Sequence, residues 1–418
     1  MSWLRVFPLL LAVAPPVGAQ RQQPCDVQLV STGGEGRSIE IGPNLRRQFA
    51  AGGVRARCRG TEITMFADSV AYYPDFSRFD MVGAVRFEDS TAVLTSQRAS
   101  YLLREERLDA HGAVVLTNRR TGSVLTGPTL SYRRRAVGVR DTTATDACGR
   151  PTVRYRADAD TTIEPYVIVA DCLWLTGDDQ ARARGTVTID RSDFAARGDS
   201  AALDGAEDRG ALVGHAHVAG DSSAYTLSGR RVDYRLTDDA LTWVRAIEGA
   251  DATSEEWRLE ADTIEFDVAD DRVQAGRAWG RSMPSAARSA QRTITADSLS
   301  ILTPGQHLEA VRAFGTALAM TALDSLDTER DWVAGDTVIA TFGSGDTMEL
   351  LEASGAARTR YRIFEGVGPD RVLRGINYSR GDRITARFAD DRLFRVDVAG
   401  DTDGVYLEAP GTRGPTRE

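Results

Sequence analysis

The sequence contains no lysine: all 51 of its basic residues are arginine, against 60 aspartate and glutamate residues. The formal net charge of −9 argues against nucleic-acid binding, which requires a basic face, so no nucleic-acid partner is expected. The lack of lysine is typical of a GC-rich coding bias; a preference for planar guanidinium groups against phosphate is the alternative. The net acidity also disfavours long-range steering of an anionic lipid, so apolar burial has to hold any such ligand.

Long apolar runs are also missing, except near the start of the chain. Residues 6–13 are mostly apolar and are followed by Pro15-Pro16. This pattern predicts a signal peptide over residues 1–20, cleaved after Ala19 or Gln20. The apolar core is about ten residues, whereas a membrane-spanning helix needs about 20. We therefore expect an exported, periplasmic protein, in solution or in association with the outer membrane.

Cysteine is scarce, and the chain has four. In an exported protein an even number permits disulfides, and proximity in sequence favours Cys25 with Cys58 and Cys148 with Cys172, one of three possible pairings. The spacings do not resemble zinc sites, which place two ligands two to four residues apart. Structural bridges are expected.

The residues and motifs of common active sites are rare or missing. There are four histidines, and only His215 and His217 are close enough in sequence to share a metal, with no third ligand identifiable. The chain has no Gly-x-Ser-x-Gly motif and no phosphate-binding glycine loop before a helix. We therefore expect no enzyme activity, no metal and no cofactor.

Paired aspartates could suggest a glycosidase, in which two carboxylates flank the scissile bond. Four pairs occur here, at Asp178-Asp179, Asp238-Asp239, Asp270-Asp271 and Asp390-Asp391. All four lie at the same phase of a repeat, so turns between strands are the better interpretation.

The repeat consists of two short phrases. The first is a small residue, Asp, any residue, an apolar residue, any residue and an aromatic or apolar residue. Its clearest copies begin at Ala67, Ala170, Ala261 and Ala296, and six weaker ones begin at Ser96, Gly127, Gly198, Gly229, Gly335 and Gly381. The second phrase is centred on a glycine, which is followed two positions later by an apolar residue in the copies at Gly83, Gly112, Gly185 and Gly214. Its later members are at Gly249, Gly280, Gly315, Gly355 and Gly400.

The two phrases keep their phase along the chain. The distance from the Asp to the following Gly is 83 − 68 = 15 residues early on and 315 − 297 = 18 later. Within each phrase apolar residues alternate, as in Val85 and Phe87, which is typical of strands buried on one face. Each repeat therefore predicts a strand, a turn and a strand, with the Asp at the start of its strand. About twenty strands follow, stacked into one continuous apolar interior.

The recurrent Ala-Asp-x-apolar-x-Tyr at Ala67, followed by Met81-Val82-Gly83-Ala84-Val85, resembles the OstA-like family of LptA-type periplasmic lipopolysaccharide-transport proteins, as does Gly381-Asp382-Arg383-Ile384 near the C-terminus. The resemblance covers roughly residues 61–408. It implies an elongated open β-jellyroll whose apolar interior holds the acyl chains of lipopolysaccharide. It also implies that the edge strands pair with other jellyroll proteins of a transport bridge. Pairing between copies of this chain is a further expectation.

On this basis the expected organisation is a signal peptide (1–20), an N-terminal extension (21–60), a first lobe (61–135), an irregular connector (136–165), a longer second lobe (166–408) and a tail (409–418). The chain is much longer than a single LptA-like jellyroll, so either two fused lobes or one extended groove is possible. The alternating apolar positions are expected to face the lipid or, equally, to form a packed core: Val70, Tyr72, Val85, Phe87, Val114, Leu116, Leu173, Val187, Ile189, Ile264 and Phe266.

Two other functions compete with lipopolysaccharide binding and transport. A structural or adhesive β-repeat protein would have a closed core and no lipid. A carbohydrate-active β-solenoid enzyme would carry one non-repeated carboxylate cluster on an outer face.

Overall fold

The computed structural model describes residues 25–43, 45–136, 140–156, 162, 164–192, 194–220, 225–237, 240–270, 272–321, 329–344, 347–365, 372–389 and 392–409. The signal-peptide prediction falls on residues outside this part of the chain and stays a prediction. The predicted tail (409–418) also lies outside it, apart from Ala409, and stays a prediction as well.

The described chain is all β, with two short 3₁₀ turns at Pro74–Phe76 and Pro304–Gln306. The first half contains β1 (Val27–Thr32), β2 (Gly36–Gly42), β3 (Leu45–Cys58), β4 (Thr64–Tyr73), β5 (Arg78–Glu88), β6 (Ala92–Leu102), β7 (Arg107–Asn118), β8 (Val124–Arg133), β9 (Ala144–Cys148), β10 (Thr152–Tyr155), β11 (Tyr166–Val169), β12 (Cys172–Thr176), β13 (Gln180–Arg191) and β14 (Phe194–Asp204).

The second half continues the same pattern. It contains β15 (Arg209–Gly220), β16 (Tyr225–Thr237), β17 (Ala240–Thr253), β18 (Arg258–Ala269), β19 (Arg272–Trp279), β20 (Ser285–Arg288), β21 (Arg292–Ala296), β22 (Ser298–Leu302), β23 (Ala310–Thr321), β24 (Trp332–Phe342), β25 (Met348–Glu365), β26 (Val372–Ala389), β27 (Arg392–Ala399) and β28 (Asp403–Glu408). All 28 strands belong to one antiparallel sheet.

A column of β-bulges crosses this sheet near the middle of the long strands. Between β5 and β6, for example, the register shifts between Val82 and Val85. In this gap Gly83 (φ 77°) and Ala84 (φ 42°) both have positive φ. Bulges bend the strand that carries them, so we call this column the crease.

The strands fold over at the crease. Phe87 pairs in register with Leu94, and Tyr101 lies 101 − 94 = 7 residues further along β6. Seven residues of an extended strand span about 23 Å. The ring centroids of Phe87 and Tyr101 are nevertheless only 5.4 Å apart. The two halves of the sheet therefore face each other.

We name the half that contains residues 85–88 of β5 limb 1 and the half that contains residues 78–82 limb 2. Limb 1 runs through β1, β3 to β8, β10, β11, β13 to β18, β20, β21, β23 to β26 and β28. Limb 2 runs through β2, β3 to β9, β12, β13 to β19 and β22 to β27. The side opposite the crease, where the strand tips of both limbs lie, is the mouth.

Six pairs of short strands each replace one long creased strand: β1 with β2, β9 with β10, β11 with β12, β19 with β20, β21 with β22, and β27 with β28. Counting each pair once gives 28 − 6 = 22 crossings of the crease. The predicted elongated, open β-jellyroll of repeated antiparallel two-strand units is confirmed. The expected number of about twenty strands corresponds to these crossings.

The inner faces of both limbs carry alternating buried residues, such as Phe79, Met81, Val85 and Phe87 in β5. They form two clusters: a first core from Cys25 to Val187 and a second core from Ala196 to Ala386. Ile189 and Ala201 pack against both, so the apolar interior is continuous.

The two cores differ in side-chain size. In the second core 16 of 32 buried residues are alanine. In the first core 9 of 31 are alanine, and it holds the buried aromatics Phe79, Phe87, Tyr101 and Tyr132. Many alanines flank the crease, as Ala246 and Ala250 do in β17. The two limbs start from the crease, so the space between them is narrowest there and suits small side chains.

The sheet also includes segments that the sequence placed outside the lobes. Residues 25–58 of the expected N-terminal extension contribute β1, β2 and β3. The expected connector, residues 136–165, contributes β9 and β10, which continue limb 2 and limb 1. The two cores meet at β13 and β14, and the predicted lobe boundary at the connector stays a prediction.

The structure contains the two disulfides that proximity in sequence favoured. Cys25 pairs with Cys58, with a Cα–Cα distance of 5.1 Å, and Cys148 pairs with Cys172, at 4.2 Å. Cys148 and Cys172 are direct register partners on β9 and β12. Both disulfides lie in the part of the chain that forms the first core, residues 25–187.

Candidate functional site: the interior between the limbs

Most of the predicted lipid-facing residues lie inside the folded sheet and are closely packed. Eight of the eleven are buried, with at most 8% of their surface exposed: Val70, Val85, Phe87, Val114, Leu116, Leu173, Val187 and Ile264. Tyr72, Ile189 and Phe266 are half-buried and pack against the same clusters. The structure thus brings all eleven onto the interior, spread over both cores.

The crease results from a contact between the two phrases of the repeat. The Asp68 carboxylate lies where a β-carbon on Gly83 would be, and the same relationship joins Asp199 to Gly214. It recurs in Asp171 with Gly185, Asp262 with Gly280, Asp297 with Gly315, Asp336 with Gly355 and Asp382 with Gly400.

The sequence placed this aspartate at the start of a strand, and that prediction is wrong for the continuous strands. Asp68 and Asp199 lie in mid-strand, because each strand continues through the crease into the other limb.

A buried polar cluster joins the limbs at the mouth of the first core. Its members, which we call the latch, are Asp89 and Thr91 at a limb 1 tip, and Tyr101, Glu106, Tyr132 and Arg134 at limb 2 tips. The Tyr132 hydroxyl donates to Asp89 Oδ2 at 2.9 Å, and Arg134 Nη1 donates to Glu106 Oε2 at 3.1 Å. Arg134 Nε lies 3.9 Å from Asp89 Oδ2, and Tyr101 donates to Glu106.

The latch is nearly closed to solvent. The Asp89 side chain is 3% exposed, that of Glu106 10% and that of Arg134 17%. Burial, and then the charge of Glu106, raises the pKa of Tyr101 far above its ordinary value. Burial, and then Asp89, does the same to the pKa of Tyr132. Both hydroxyls therefore stay protonated and donate to carboxylates.

Other contacts cross the mouth further along the chain. Asp178, at a limb 2 tip, accepts hydrogen bonds from Asn118 Nδ2 at 3.1 Å and from Arg120 Nε at 3.0 Å, both at a limb 1 tip. In the second core the rings of Trp257 and Phe342 meet edge to face at 6.2 Å. Trp257 precedes the limb 1 half of β18, and Phe342 ends the limb 2 half of β24.

The ladder hydrogen bonds that the structure describes run along the limbs and not across the mouth. Among the described residues, the contacts that cross the mouth are therefore made by side chains.

The outer face offers little that resembles an active site. Asp178-Asp179 lies in the turn between β12 and β13, as the repeat indicated, whereas the other three Asp-Asp pairs fall wholly or partly outside the described residues. His215 and His217 are both exposed, and His215 contacts Asp199. Within the described ranges, no three His, Cys, Asp or Glu side chains are grouped to hold a metal.

A shallow depression of about 410 Å³ lies at the crease of β5, β6 and β7. It is lined by Ala84, Arg86, Thr95 and Gln97, among others, and Gln97 occupies the position of the crease aspartate. Among the residues that the structure describes, no helix has the length and apolarity to span a membrane.

No protein-family model matches this chain. The curated proteins contain no significant match to it either.

Sequence patterns did not indicate the latch. Arg134 lies in a segment where the repeat loses its register, and Asp89 and Glu106 are in turns of ordinary composition. Their meeting depends on the fold-over of β6, whose two ends carry the turns with Asp89 and Glu106. The sequence did contain a signal for the bend, namely the glycine in the middle of many long strands, such as Gly83 in β5 and Gly214 in β15.

Proposed function

We propose that this chain is a periplasmic binding and transport protein for lipopolysaccharide that takes the acyl chains of lipid A between its limbs. The observation that supports this most directly is the form of the interior: one apolar interior runs between two limbs whose strands continue into each other at the crease. An amphipathic lipid suits such an interior, because its acyl chains can be buried while its sugars remain outside the mouth.

The ends of the sheet support a role as one component of a bridge. At the C-terminal end, β27 and β28 each pair with β26 on one side, and no described strand pairs with their other side. They carry the exposed apolar residues Leu393, Phe394, Val405, Tyr406 and Leu407. At the N-terminal end, β1 and β2 pair with β3 and, within the described part of the chain, with no other strand; they expose Val30, Ile39 and Ile41. Unpaired strand edges are templates for strand addition by a partner.

Carriage requires the limbs to move apart, because the lipid-facing positions are in contact with one another. The same packing favours a second candidate, a structural or adhesive β-repeat protein with a dry core. The interior residues Val187 and Ile264 are 1% and 0% exposed, as a dry core requires.

Native mass spectrometry separates the two functions. The full chain is purified from the periplasm of a lipopolysaccharide-producing host, and the co-purifying lipid is extracted and identified. A carrier brings lipid A species with it, and Phe266→Asp, at a half-buried inner position, lowers their amount at least tenfold. Val213→Asp is the matched control, because Val213 is 39% exposed on the outer face.

Protein that is free of lipid and also fails to bind added lipopolysaccharide supports the structural function instead. Thermal unfolding of both variants checks that a loss of lipid does not reflect a loss of fold.

A further inference from the structure

The two cores resist separation of the limbs to different degrees. Opening the mouth at the first core separates Asp89, in limb 1, from Tyr132 and Arg134, in limb 2, whereas the pair of Arg134 with Glu106 stays within limb 2. The carboxylate of Asp89, whose side chain is 3% exposed, would thus lose its partners. Leaving buried charges unpaired is among the most costly changes in a folded protein. The disruption extends to Asp178, which bridges to Asn118 and Arg120 across the same mouth.

Aromatic contacts add to this resistance. Phe87 of limb 1 lies 5.4 Å from the Tyr101 ring and 6.4 Å from the Tyr132 ring, both of limb 2. Phe87 and Tyr101 are each no more than 1% exposed. Large buried rings contribute most to the apolar area that separation would expose to water.

The second core offers less resistance. Half of its buried residues are alanine, and these positions lose little apolar contact when the limbs part. The contact described across its mouth is the ring pair of Trp257 and Phe342, which carries no charge. An acyl chain that replaces this ring contact restores an apolar environment around Trp257 and Phe342 and leaves no charge unpaired at these two residues.

We infer that acyl chains enter between the limbs only in the second core, residues 196–386, while the latch keeps the first core closed. This inference rests on the proposed function. It divides the predicted lipid-facing set: Phe266 and Ile264 contact lipid, whereas Val70, Tyr72, Val85, Phe87, Val114 and Leu116 are packed core.

Photocrosslinking to purified lipopolysaccharide tests the inference. A benzophenone amino acid replaces either Tyr72 or Phe266 in the full chain. The two positions are matched, because both are half-buried aromatic residues on the inner face of limb 2, one in each core. We expect the adduct at position 266 to exceed that at position 72 at least tenfold.

Opening the latch provides the second arm. Arg134→Met should raise the crosslinking at position 72 at least fivefold. The control is Arg119→Met, which removes an ion pair with Glu88 that lies within limb 1, at 2.9 Å, and does not cross the mouth. Equal adducts at both positions, or more at position 72 in the unaltered chain, overturn the inference and leave lipid carriage intact.

A distance measurement tests the inference without Arg134→Met, in case that variant folds poorly. Nitroxide labels on Ser90→Cys and Arg104→Cys report the mouth of the first core, and labels on Glu255→Cys and Ser344→Cys report that of the second. Added lipopolysaccharide should widen only the second distance. Widening of the first distance, alone or together with the second, contradicts the inference. No adduct and no widening at any position means that lipid carriage itself has failed.

Discussion

Asp68 and Gly83 lie side by side on β4 and β5, and the Asp68 carboxylate fills the space that a β-carbon on residue 83 would need. Gly83 also has a φ of 77°, which L residues rarely adopt. The pair explains why an aspartate and a glycine recur 14 to 19 residues apart: each pair bends two neighbouring strands at the same level. Stacked along the sheet, these bends make the crease that divides it into two limbs.

The first prediction concerns this pair. Gly83→Ala should lower the free energy of unfolding by about 2 to 3 kcal/mol, since it combines an unfavourable φ with overlap against Asp68. Gly53→Ala is the control: Gly53 has a φ of 82° but no atom near its β-carbon position, so only about 1 kcal/mol is expected. Urea denaturation measures both. The double variant Asp68→Ala with Gly83→Ala should recover part of the loss, and equal losses for Gly83→Ala and Gly53→Ala would refute the steric explanation.

The latch should contribute measurably to stability. Arg134→Met leaves Glu106 and Asp89 without their buried cationic partner, so the free energy of unfolding should fall by about 3 to 5 kcal/mol. Arg119→Met removes an ion pair whose arginine side chain is 44% exposed, and less than about 1 kcal/mol is expected. Chemical denaturation of both variants at neutral pH makes the comparison. Similar small effects would mean that the latch contacts are not formed in solution.

Alkaline pH should destabilise the fold through buried tyrosine. Burial, followed by the nearby Tyr166 and Tyr155, raises the pKa of Tyr234 to about 12. An unfolded tyrosine ionises near pH 10, so Tyr234 contributes stability below about pH 10 that is lost as the pH rises towards about 12. In that range the free energy of unfolding should fall by about 1.4 kcal/mol per pH unit for this one group.

Denaturation curves at pH 9 to 12 measure this slope. Tyr234→Phe should make it less steep by that amount, whereas Tyr225→Phe, at a residue 44% exposed, should leave it unchanged. An unaltered slope in Tyr234→Phe would place the source of the alkaline destabilisation elsewhere.

The sheet ends should make the chain self-associate. Phe394 and Leu407 lie on the C-terminal strands β27 and β28, which pair with β26, and are 64% and 51% exposed. Changing both to arginine should weaken concentration-dependent association at least tenfold in analytical ultracentrifugation, because charge on an edge strand opposes further strand addition. Phe76→Arg is the control, since Phe76 is also 64% exposed but lies in a turn between β4 and β5. A chain that stays monomeric at high concentration would count against end-to-end joining.

Much of the fold was accessible from the sequence, because period-two alternation and turn residues act locally. Val85 and Phe87 predicted a strand buried on one face, and that strand is β5. Asp178-Asp179 predicted a turn, and the turn joins β12 to β13. The disulfide pairing was also accessible, because the partners are close in sequence; Cys148 and Cys172 lie on the neighbouring strands β9 and β12.

The interior was predicted less completely. Alternation identified Val187 and Ile264 as facing inwards, but it does not distinguish residues that face a lipid from residues that face other side chains, because both environments are apolar. The start of the sheet was missed as well. β1 to β3 carry no aspartate phrase, and their bend uses Gly52 and Gly53 instead.

The sequence by itself determined the all-β class, most strands from β4 onwards, the turn at Asp178-Asp179 and the apolar side of the repeat strands, since these depend on residues within a few positions of one another. Only the tertiary structure decided that Asp89 meets Arg134 and that Phe87 meets Tyr101. Those contacts join opposite ends of strands, and they exist because a bend at each crease glycine brings two limbs face to face.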